Sequence, residues 1–353
     1  MGGGVVGSTT ALELARLGYK IELFDPDIFK SINYSETLSG TNASLGVLMG
    51  SIFKRNTGRS WRLRKRSMEL WPSLIKQLNT TQTPLCLERP LIKLARSKHE
   101  LEQMVDLIRT KKDMGLELLK PNSSIGLRRS WIYNNYGGLI SRHDGRINPF
   151  ALMESLMKLL DHLKVKKTNK QVLKIDRVIQ SQETSWKLFL DNQESRTKDC
   201  IIICAPGSSE ALLKPLGHDY PLEPVLGQAI NLELKEDRLD WSGWPAVLFN
   251  NNINLIPHSH NQMLIGATIE PGVISNTQIL KDMKDMDNLA PPWIKLSSIK
   301  NQWKGIRFKP KKEPAPLLKN LEQGLILNTA HYRNGILLAP ACAEWVGNEL
   351  IKT

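Results

Sequence analysis

The sequence has few of the features that mark secreted or membrane proteins. It contains four cysteines in 353 residues, Cys86, Cys200, Cys204 and Cys342, which are too few and too dispersed for a disulfide framework. It has no apolar run of about eighteen residues, the length that a membrane-spanning helix needs. Its first residues also lack the basic start and apolar stretch of a signal peptide. A reducing compartment, the cytoplasm, is therefore expected.

The sequence has fewer acidic than basic residues. It contains 35 Asp and Glu and 48 Lys and Arg, which gives a net charge of +13. Such a charge permits an acidic partner, for example RNA or an anionic membrane surface. The basic residues are scattered among acidic ones, however, and the densest run, 59–66, also holds Trp61 and Leu63, as a helix with one buried face would. A solvated surface is the favoured interpretation, and no stable nucleic-acid partner is expected.

What the chain does contain is a dinucleotide-binding pattern at its start. Gly2, Gly4 and Gly7 form G-x-G-x-x-G before a predicted helix at 8–17. The first glycine allows a tight turn, the second lets backbone amides approach a pyrophosphate, and the third lets helix and strand pack closely. Asp25 ends the next predicted strand, 25 − 7 = 18 residues beyond the last glycine, which is near the usual spacing for a carboxylate that binds a ribose hydroxyl. An ordinary glycine-rich turn is the alternative.

This pattern lacks the strand that normally precedes it, because only Met1 stands before Gly2. Such a strand is central in a doubly wound sheet, and its loss leaves two neighbouring edges unpaired. We therefore expect the native protein to start upstream, with about five to seven apolar residues of strand. A chain without them is expected to bind its dinucleotide poorly.

The remaining pattern predicts an α/β fold. Helices are expected at 60–78 and 98–114, and Asn148-Pro149 is typical of a helix start. The run 200–204 is apolar on both faces, as in a central parallel strand. Alternating segments within 221–268 predict an antiparallel sheet. The expected architecture is a Rossmann-like domain with a mixed or parallel sheet, its first strand truncated, and a second α+β domain built on an antiparallel sheet.

The cysteines and histidines give weaker signals. Cys200 and Cys204 lie about 13 Å apart on one predicted strand, which is too far for a disulfide, and both are expected in the core. Cys342 is expected to pack within the last helix. His258 and His260 have no cysteine or acidic residue nearby that would complete a metal site, so a loop is favoured and no metal is expected.

Four further segments carry a family resemblance that covers nearly the whole chain. They are GTNASLG at 40–46, CAPG at 204–207, GAT at 266–268 and HYRNGILLAP at 331–340. Together with the N-terminal glycines and WKGIR at 303–307, they resemble the FAD-dependent D-amino-acid oxidase superfamily, and within it the glycine oxidases of thiamin biosynthesis. The resemblance implies FAD as the cofactor, an FAD-binding domain at 1–80, 140–220 and 300–353, and a substrate domain at 81–139 and 221–299.

The resemblance also implies which residues hold FAD. The glycine loop would contact the pyrophosphate, Asp25 and Pro26 the adenosine ribose, and the backbone of Val172 the adenine. The loop at 40–47 would pass along the flavin, and 331–337 would wrap its ring and end at a helix N-terminus, which stabilises negative charge on the reduced flavin. The implied FAD residues are Gly2, Gly4, Val5, Val6, Gly7, Asp25, Pro26, Gly40, Thr41, Leu45, Gly46, Val47, Val172, Ala205, Gly207, His331, Tyr332, Arg333, Asn334, Gly335, Ile336 and Leu337.

Substrate binding is assigned on the same resemblance to Arg307, Arg333 and Ile269. Arg307 corresponds to the arginine that binds the substrate carboxylate, to which a planar guanidinium is suited; a surface arginine is the alternative. Arg333 corresponds to a second contact near the carboxylate or braces the flavin loop, and Ile269 is a pocket or core residue. The chain departs from the family at 307–313, which reads RFKPKKE without the usual proline and acidic residue, and at Leu45, where small residues are usual.

The implied reaction is the oxidative deamination of glycine or a close N-alkyl or D-amino analogue. A hydride leaves Cα for flavin N5, water hydrolyses the imine to the 2-oxo acid and ammonia, and oxygen becomes hydrogen peroxide. The imine would feed thiazole synthesis. The alternatives are a dehydrogenase that passes electrons to a quinone or carrier, a tRNA-modifying FAD oxidoreductase, and a non-catalytic remnant. The oligomeric state is left open, a homo-oligomer included.

Overall fold

The computed structural model describes residues 1–30, 38–79, 84–123, 134–180, 183–235 and 241–352. The helices in these ranges are α1 (Val5–Arg16), α2 (Gly58–Leu78), α3 (Lys98–Thr110), α4 (Pro149–His162), α5 (Pro206–Leu213), α6 (Gln278–Asp285), α7 (Pro292–Lys295) and α8 (Gly335–Ile351). The strands are β1 (Glu22–Phe24), β2 (Val47–Leu48), β3 (Leu91–Leu94), β4 (Leu116–Leu119), β5 (Gly138–Ser141), β6 (Gly145–Arg146), β7 (Lys166–Thr168), β8 (Val172–Gln180), β9 (Glu183–Leu190), β10 (Ser195–Lys198), β11 (Ile201–Ile203), β12 (Leu222–Glu233), β13 (Val247–Asn250), β14 (Ile253–His258), β15 (Gln262–Gly266), β16 (Glu270–Pro271), β17 (Ser298–Pro310), β18 (Leu317–Glu322) and β19 (Leu325–Thr329).

Parallel strand pairs form the α/β part of the molecule. β1 pairs in parallel with β7, and β11 pairs in parallel with β19, which is antiparallel to β18. The first two residues connect these groups. The Met1 ammonium donates to the Ile202 carbonyl and the Cys204 N–H donates to the Met1 carbonyl, both at 2.8 Å. The Gly2 N–H donates to the Phe24 carbonyl at 2.9 Å, so both strand groups meet at the glycine loop.

A carboxylate between two lysines ties the outer strands together. Glu22 on β1 lies 2.9 Å from Nζ of Lys166 and 2.6 Å from Nζ of Lys198, and it accepts the Thr168 hydroxyl at 2.7 Å. Burial opposes ionisation, but hydrogen bonds from Lys198, Lys166 and Thr168 outweigh it and lower the pKa of Glu22 to about 2. This part of the sheet therefore depends on an ionised glutamate.

Helices α1, α2, α4 and α8 pack together beside these strands around one apolar core. The largest side chain in that core is Trp71, which is fully buried. Its indole N–H donates to the Leu337 carbonyl at 3.2 Å, because a buried indole needs an acceptor. Trp71 thereby holds the start of α8 against α2.

The largest sheet among the described residues is almost entirely antiparallel. Its strand order is β16-β12-β15-β14-β13-β3-β5-β4, and β17 pairs with β12. All of its pairs are antiparallel except that of β13 with β3. The antiparallel sheet within 221–268 and the mixed α/β fold class are thus confirmed. The long strand β17 was not predicted, because the side chains of its first five residues are exposed and mostly polar. This half of the strand therefore shows no alternation of apolar and polar residues.

Several local predictions can be compared with the structure. The Asn148 side chain accepts the N–H groups of Phe150 and Ala151 and caps α4, as predicted. Cys342 is fully buried in α8, also as predicted. Cys200 and Cys204 are only half-buried, and Cys204 lines a cavity, so their assignment to the core was wrong. Within the described ranges, no helix combines the length and the apolar character that a bilayer crossing requires.

Candidate active site

A cavity of about 820 Å³ lies where the α/β part meets the large sheet. The N-terminus of α1, the ends of β1 and β11, the strand β17 and the segment before α8 all border it. The predicted residues that line it are Gly2, Gly4, Val5, Val6, Gly7, Asp25, Gly40, Thr41, Leu45, Val47, Ala205, Gly207, Arg307, His331, Tyr332, Arg333, Asn334, Gly335, Ile336 and Leu337. The fold therefore brings most of the predicted site together in one space.

The glycine loop presents the start of α1 to this cavity. The first turn of α1 has no acidic residue and no side-chain cap, and the Val5 N–H donates to the Thr41 hydroxyl at 3.1 Å. A Cβ on Gly4 would lie 2.9 Å from that hydroxyl oxygen, and one on Gly7 would overlap the Gly2 carbonyl. Only glycines allow this packing, which leaves the positive end of the helix dipole facing the cavity, where it suits a phosphate.

Asp25 closes the same end of the cavity. One carboxylate oxygen accepts the Gly3 N–H at 2.7 Å, and the other accepts the Asp27 N–H at 2.8 Å. Each carboxylate oxygen has a further lone pair that a ribose hydroxyl can use. Pro26 and Val172 lie outside the cavity lining, and the Val172 side chain is buried in the core beneath β8.

Buried polar atoms without partners mark the opposite end, before α8. Among the described residues, Nε2 of His331 and the hydroxyl of Thr329 have no hydrogen-bond partner, and both residues line the cavity. Burial, with the charge of Arg59, lowers the pKa of His331 to about 3, so the imidazole is neutral. Orphaned buried groups are uncommon in folded proteins. A cofactor with hydrogen-bonding edges, such as a flavin, fits this wall.

Arg307 extends from β17 into the cavity, and its guanidinium is held on one side only. Nη1 donates to the Thr268 carbonyl at 3.0 Å and to the Leu226 carbonyl at 3.5 Å. Among the described residues, Nε and Nη2 have no hydrogen-bond partner. Burial, followed by the charge of Arg333, lowers the pKa of Arg307 to about 10, which leaves it protonated at neutral pH. The free edge of this half-buried guanidinium is suited to a carboxylate.

Two residues that support Arg307 were not identified from the sequence. Gly227 pairs with Gly305 across β12 and β17, and a Cβ at Gly227 would overlap the guanidinium of Arg307. The buried carboxylate of Glu270 accepts the side-chain amide of Gln228 at 2.9 Å and the Thr268 hydroxyl. It thereby fixes the residue whose carbonyl binds Arg307. Two sequence signals could have identified these residues. Gly227 interrupts the alternating segment within 221–268, and Glu270 is an acidic residue two positions after the GAT motif.

A third arginine, Arg64 of α2, also lines the cavity. Its Nη1 donates to Oδ1 of Asn334 at 2.9 Å, and its guanidinium lies 4.2 Å from the ring centroid of Phe53. The sequence placed Arg64 in a basic run with a solvated face. It was missed because helical periodicity alone does not tell which neighbour a half-buried position meets.

Two further predicted residues, besides Pro26 and Val172, do not reach the cavity. Ile269 is 44% exposed and is absent from the lining, which includes Ala267 instead. Gly46 lies behind the lining at φ +75°, where a Cβ would overlap the Ile147 carbonyl. Its role is to turn the backbone between the loop at 40–45 and β2.

Known proteins resemble this chain over nearly its whole length. The family model described as DAO, FAD dependent oxidoreductase, matches residues 1–349. Glycine oxidase of Pseudomonas putida is 30% identical over 151 residues, which cover 41% of this chain and 40% of that protein. Glycine oxidase of Bacillus licheniformis is 22% identical over 365 residues, which cover 99% of this chain and 92% of that protein. The crystal structure of glycine oxidase from Geobacillus kaustophilus has a TM-score of 0.83 at 21% identity and covers 100% of this chain and 93% of that one.

Proposed function

The chain belongs to the FAD dependent oxidoreductase (DAO) family, and we propose that it oxidises a small amino acid to the 2-oxo acid and ammonia. The substrate is glycine or a close N-alkyl or D-amino analogue. For glycine or a D-amino acid, one amino acid, one oxygen and one water give one 2-oxo acid, one ammonia and one hydrogen peroxide. An N-alkyl substrate releases the corresponding primary amine in place of ammonia. The observation that carries the proposal is the guanidinium of Arg307, which is half-buried in the cavity wall with one edge free.

FAD is the cofactor of this family, and the cavity walls fit its parts. The glycine loop and the start of α1 suit the pyrophosphate, Asp25 suits the ribose, and 331–337 suits the ring. Bound flavin supplies the acceptor for the hydride that leaves Cα and passes the electrons to oxygen. We propose that segments 1–80, 140–220 and 300–353 bind FAD. Segments 81–139 and 221–299 would then form the substrate side, which contributes Ala267 and Phe249 to the lining.

Arg307 would hold the substrate carboxylate. Its Nη1 is already bonded to the Thr268 carbonyl, so the side chain is oriented before substrate arrives. A bidentate contact from Nε and Nη2 fixes both the position and the plane of the carboxylate. Orientation of this kind contributes to the rate because it removes the entropy cost of aligning Cα with the acceptor. Arg333 would make the second contact near the carboxylate.

The described part of the cavity lining offers no side chain suited to act as a general base for the substrate amine. In the described part of the lining, Asp25 is the single carboxylate, and it holds the glycine loop at the far end. His331, with its pKa lowered to about 3, is a weak base at neutral pH. We propose that the amine enters neutral and needs no proton acceptor. The released imine would then hydrolyse or supply thiazole synthesis, in line with the resemblance to glycine oxidases.

One half-reaction tests the proposal. The FAD-loaded protein is mixed with glycine, sarcosine or D-alanine without oxygen, and the visible band at about 450 nm, expected for oxidised flavin, is followed. Bleaching by at least one of these amines supports the proposal, and persistence of the band with all of them contradicts it. Hydrogen peroxide formed in air, compared with dye reduction without air, separates an oxidase from a dehydrogenase.

A further inference from the structure

The cavity wall carries more positive charge than one carboxylate requires. Arg307, Arg333 and Arg64 all line it. Burial is the main cause that lowers the pKa values of Arg307 and Arg64 to about 10, and the charge of Arg333 contributes to both shifts. Arg333 directly precedes Asn334, whose side chain accepts a hydrogen bond from Arg64, and both arginines line the same cavity. Arg333 is exposed, and it forms no hydrogen bond or ion pair with the described residues.

The carboxylates near these arginines are engaged elsewhere. Asp144 is fully buried, and its oxygens accept the N–H groups of residues 50, 51 and 52 at 2.8, 2.8 and 2.9 Å. The ammonium of Lys111 interacts electrostatically with Asp144 and donates to the Ser51 carbonyl at 3.1 Å. Glu270 is likewise occupied by the amide of Gln228. Both carboxylates thus accept hydrogen bonds from backbone or side-chain amides. Neither is bonded to the guanidinium of Arg307, Arg333 or Arg64 in the described residues.

Arg64 is the cation with the most to gain from a ligand. It bonds to the neutral amide of Asn334 and stacks on Phe53. Its Nη2 has no hydrogen-bond partner among the described residues. A carboxylate in the cavity can accept a charge-assisted hydrogen bond from this free nitrogen. The α-carboxylate of the substrate does not serve this purpose, because Arg307 takes it.

We propose that Arg64 and Arg333 form a second anion subsite, and that the preferred substrate is an amino acid with a second carboxylate. This inference rests on the proposed function, because it assumes that Arg307 holds the α-carboxylate. The second carboxylate would reach the subsite either from the amine nitrogen or from Cα. It would accept hydrogen bonds from Nη2 of Arg64 and from one edge of the Arg333 guanidinium, whose other N–H groups remain available to the α-carboxylate.

Matched substrates test the subsite in the FAD-loaded wild-type protein. Iminodiacetate differs from sarcosine by one carboxylate on the N-substituent, and D-aspartate differs from D-alanine by one carboxylate on Cβ. We expect kcat/KM for at least one diacid to exceed that of its matched monoacid by tenfold or more. Ratios near one in both pairs would overturn the proposal.

The assignment to Arg64 is tested by comparing Arg64→Gln with Arg62→Gln, which removes a charge from the exposed face of the same helix. The diacid-to-monoacid ratio should fall at least tenfold in Arg64→Gln and stay at the wild-type value in Arg62→Gln. An unchanged ratio in Arg64→Gln would refute the role of Arg64. FAD content, measured from the absorbance spectrum, reports whether each variant is loaded.

A binding measurement separates this inference from the proposed function. Diglycolate and methoxyacetate are the ether analogues of iminodiacetate and sarcosine, and neither has an amine to oxidise. Calorimetric titration of the FAD-loaded protein should give a dissociation constant at least tenfold lower for diglycolate. If no amine bleaches the flavin but diglycolate still binds more tightly, the subsite stands and the proposed reaction fails. Equal affinities would remove the subsite whatever the reaction.

Discussion

Substitution of Gly227 by alanine should disable the carboxylate site without touching a charged residue. A Cβ at this position would lie well inside 3.0 Å of Nη1, Nη2 and Cζ of Arg307, a separation that Cβ atoms do not adopt. The φ angle of Gly227 is outside the left-handed region, so its backbone accepts alanine. The guanidinium must therefore move, and it loses its bond to the Thr268 carbonyl.

The magnitude follows from the bonds that are lost. A hydrogen bond to a charged group contributes about 1.5–3 kcal/mol, and each 1.4 kcal/mol corresponds to about tenfold in affinity. We therefore expect Gly227→Ala to weaken carboxylate binding by roughly 10- to 100-fold. The dissociation constant of acetate, titrated against the flavin absorbance of the loaded protein, measures this effect. KM for glycine should rise in parallel, whereas FAD content should stay the same.

Gly18→Ala is the matched control for lost stability. Gly18 has a φ of +89°, and a Cβ at this position would meet open space, so alanine there introduces left-handed strain of about 1–2 kcal/mol far from Arg307. Its unfolding midpoint should fall while its acetate affinity stays at the wild-type value. If Gly227→Ala binds acetate as tightly as the wild type does, the guanidinium does not depend on the glycine and the reasoning is wrong.

Three other predictions follow from buried polar contacts. Glu270→Gln should raise KM for glycine by about tenfold, equivalent to ~1.4 kcal/mol, because it loosens the backbone that holds Arg307; an unchanged KM would contradict this. Glu22 has a folded pKa of about 2, below the ordinary glutamate value of 4.5. Its contribution to stability is therefore complete above about pH 4.5 and is lost as the pH falls towards 2. Glu22→Gln should flatten the pH dependence of the unfolding free energy in that window. Trp71→Phe removes the indole bond to the Leu337 carbonyl and should lower the unfolding free energy by about 1–3 kcal/mol, measured by denaturant titration.

The sequence predicted the parts of the fold that local patterns determine. The glycine loop, α1 and β1 follow from glycine spacing and apolar periodicity, and α4 follows from the Asn148 cap. The predicted boundaries were less accurate where tertiary contacts decide them. Helix α8 begins at Gly335, inside the segment 331–337 that was expected to end at a helix N-terminus, because its first turn packs against α2 through Trp71.

The strand that carries Arg307 could not be predicted in this way. β17 has thirteen residues, of which only Trp303, Gly305 and Pro310 are buried. Its partner β12 supplies the apolar side of the pair. A strand whose stability comes from its neighbour's residues has no apolar periodicity of its own, and here only the resemblance at 303–307 located the arginine.

Arg64 illustrates a different limit of sequence reasoning. Within a basic run on an amphipathic helix, each arginine has the same local signal, and the expected position for it is the solvated face. What distinguishes Arg64 from Arg62 is the set of groups that other segments bring to it: Phe53 from the loop after β2 and Asn334 from the segment before α8. The contact with Asn334 joins positions 270 residues apart, and no local pattern encodes it. Composition and helical periodicity predict the same effect for Arg62→Gln and Arg64→Gln. A change of the diacid-to-monoacid ratio in Arg64→Gln alone would therefore come from the tertiary contacts of Arg64.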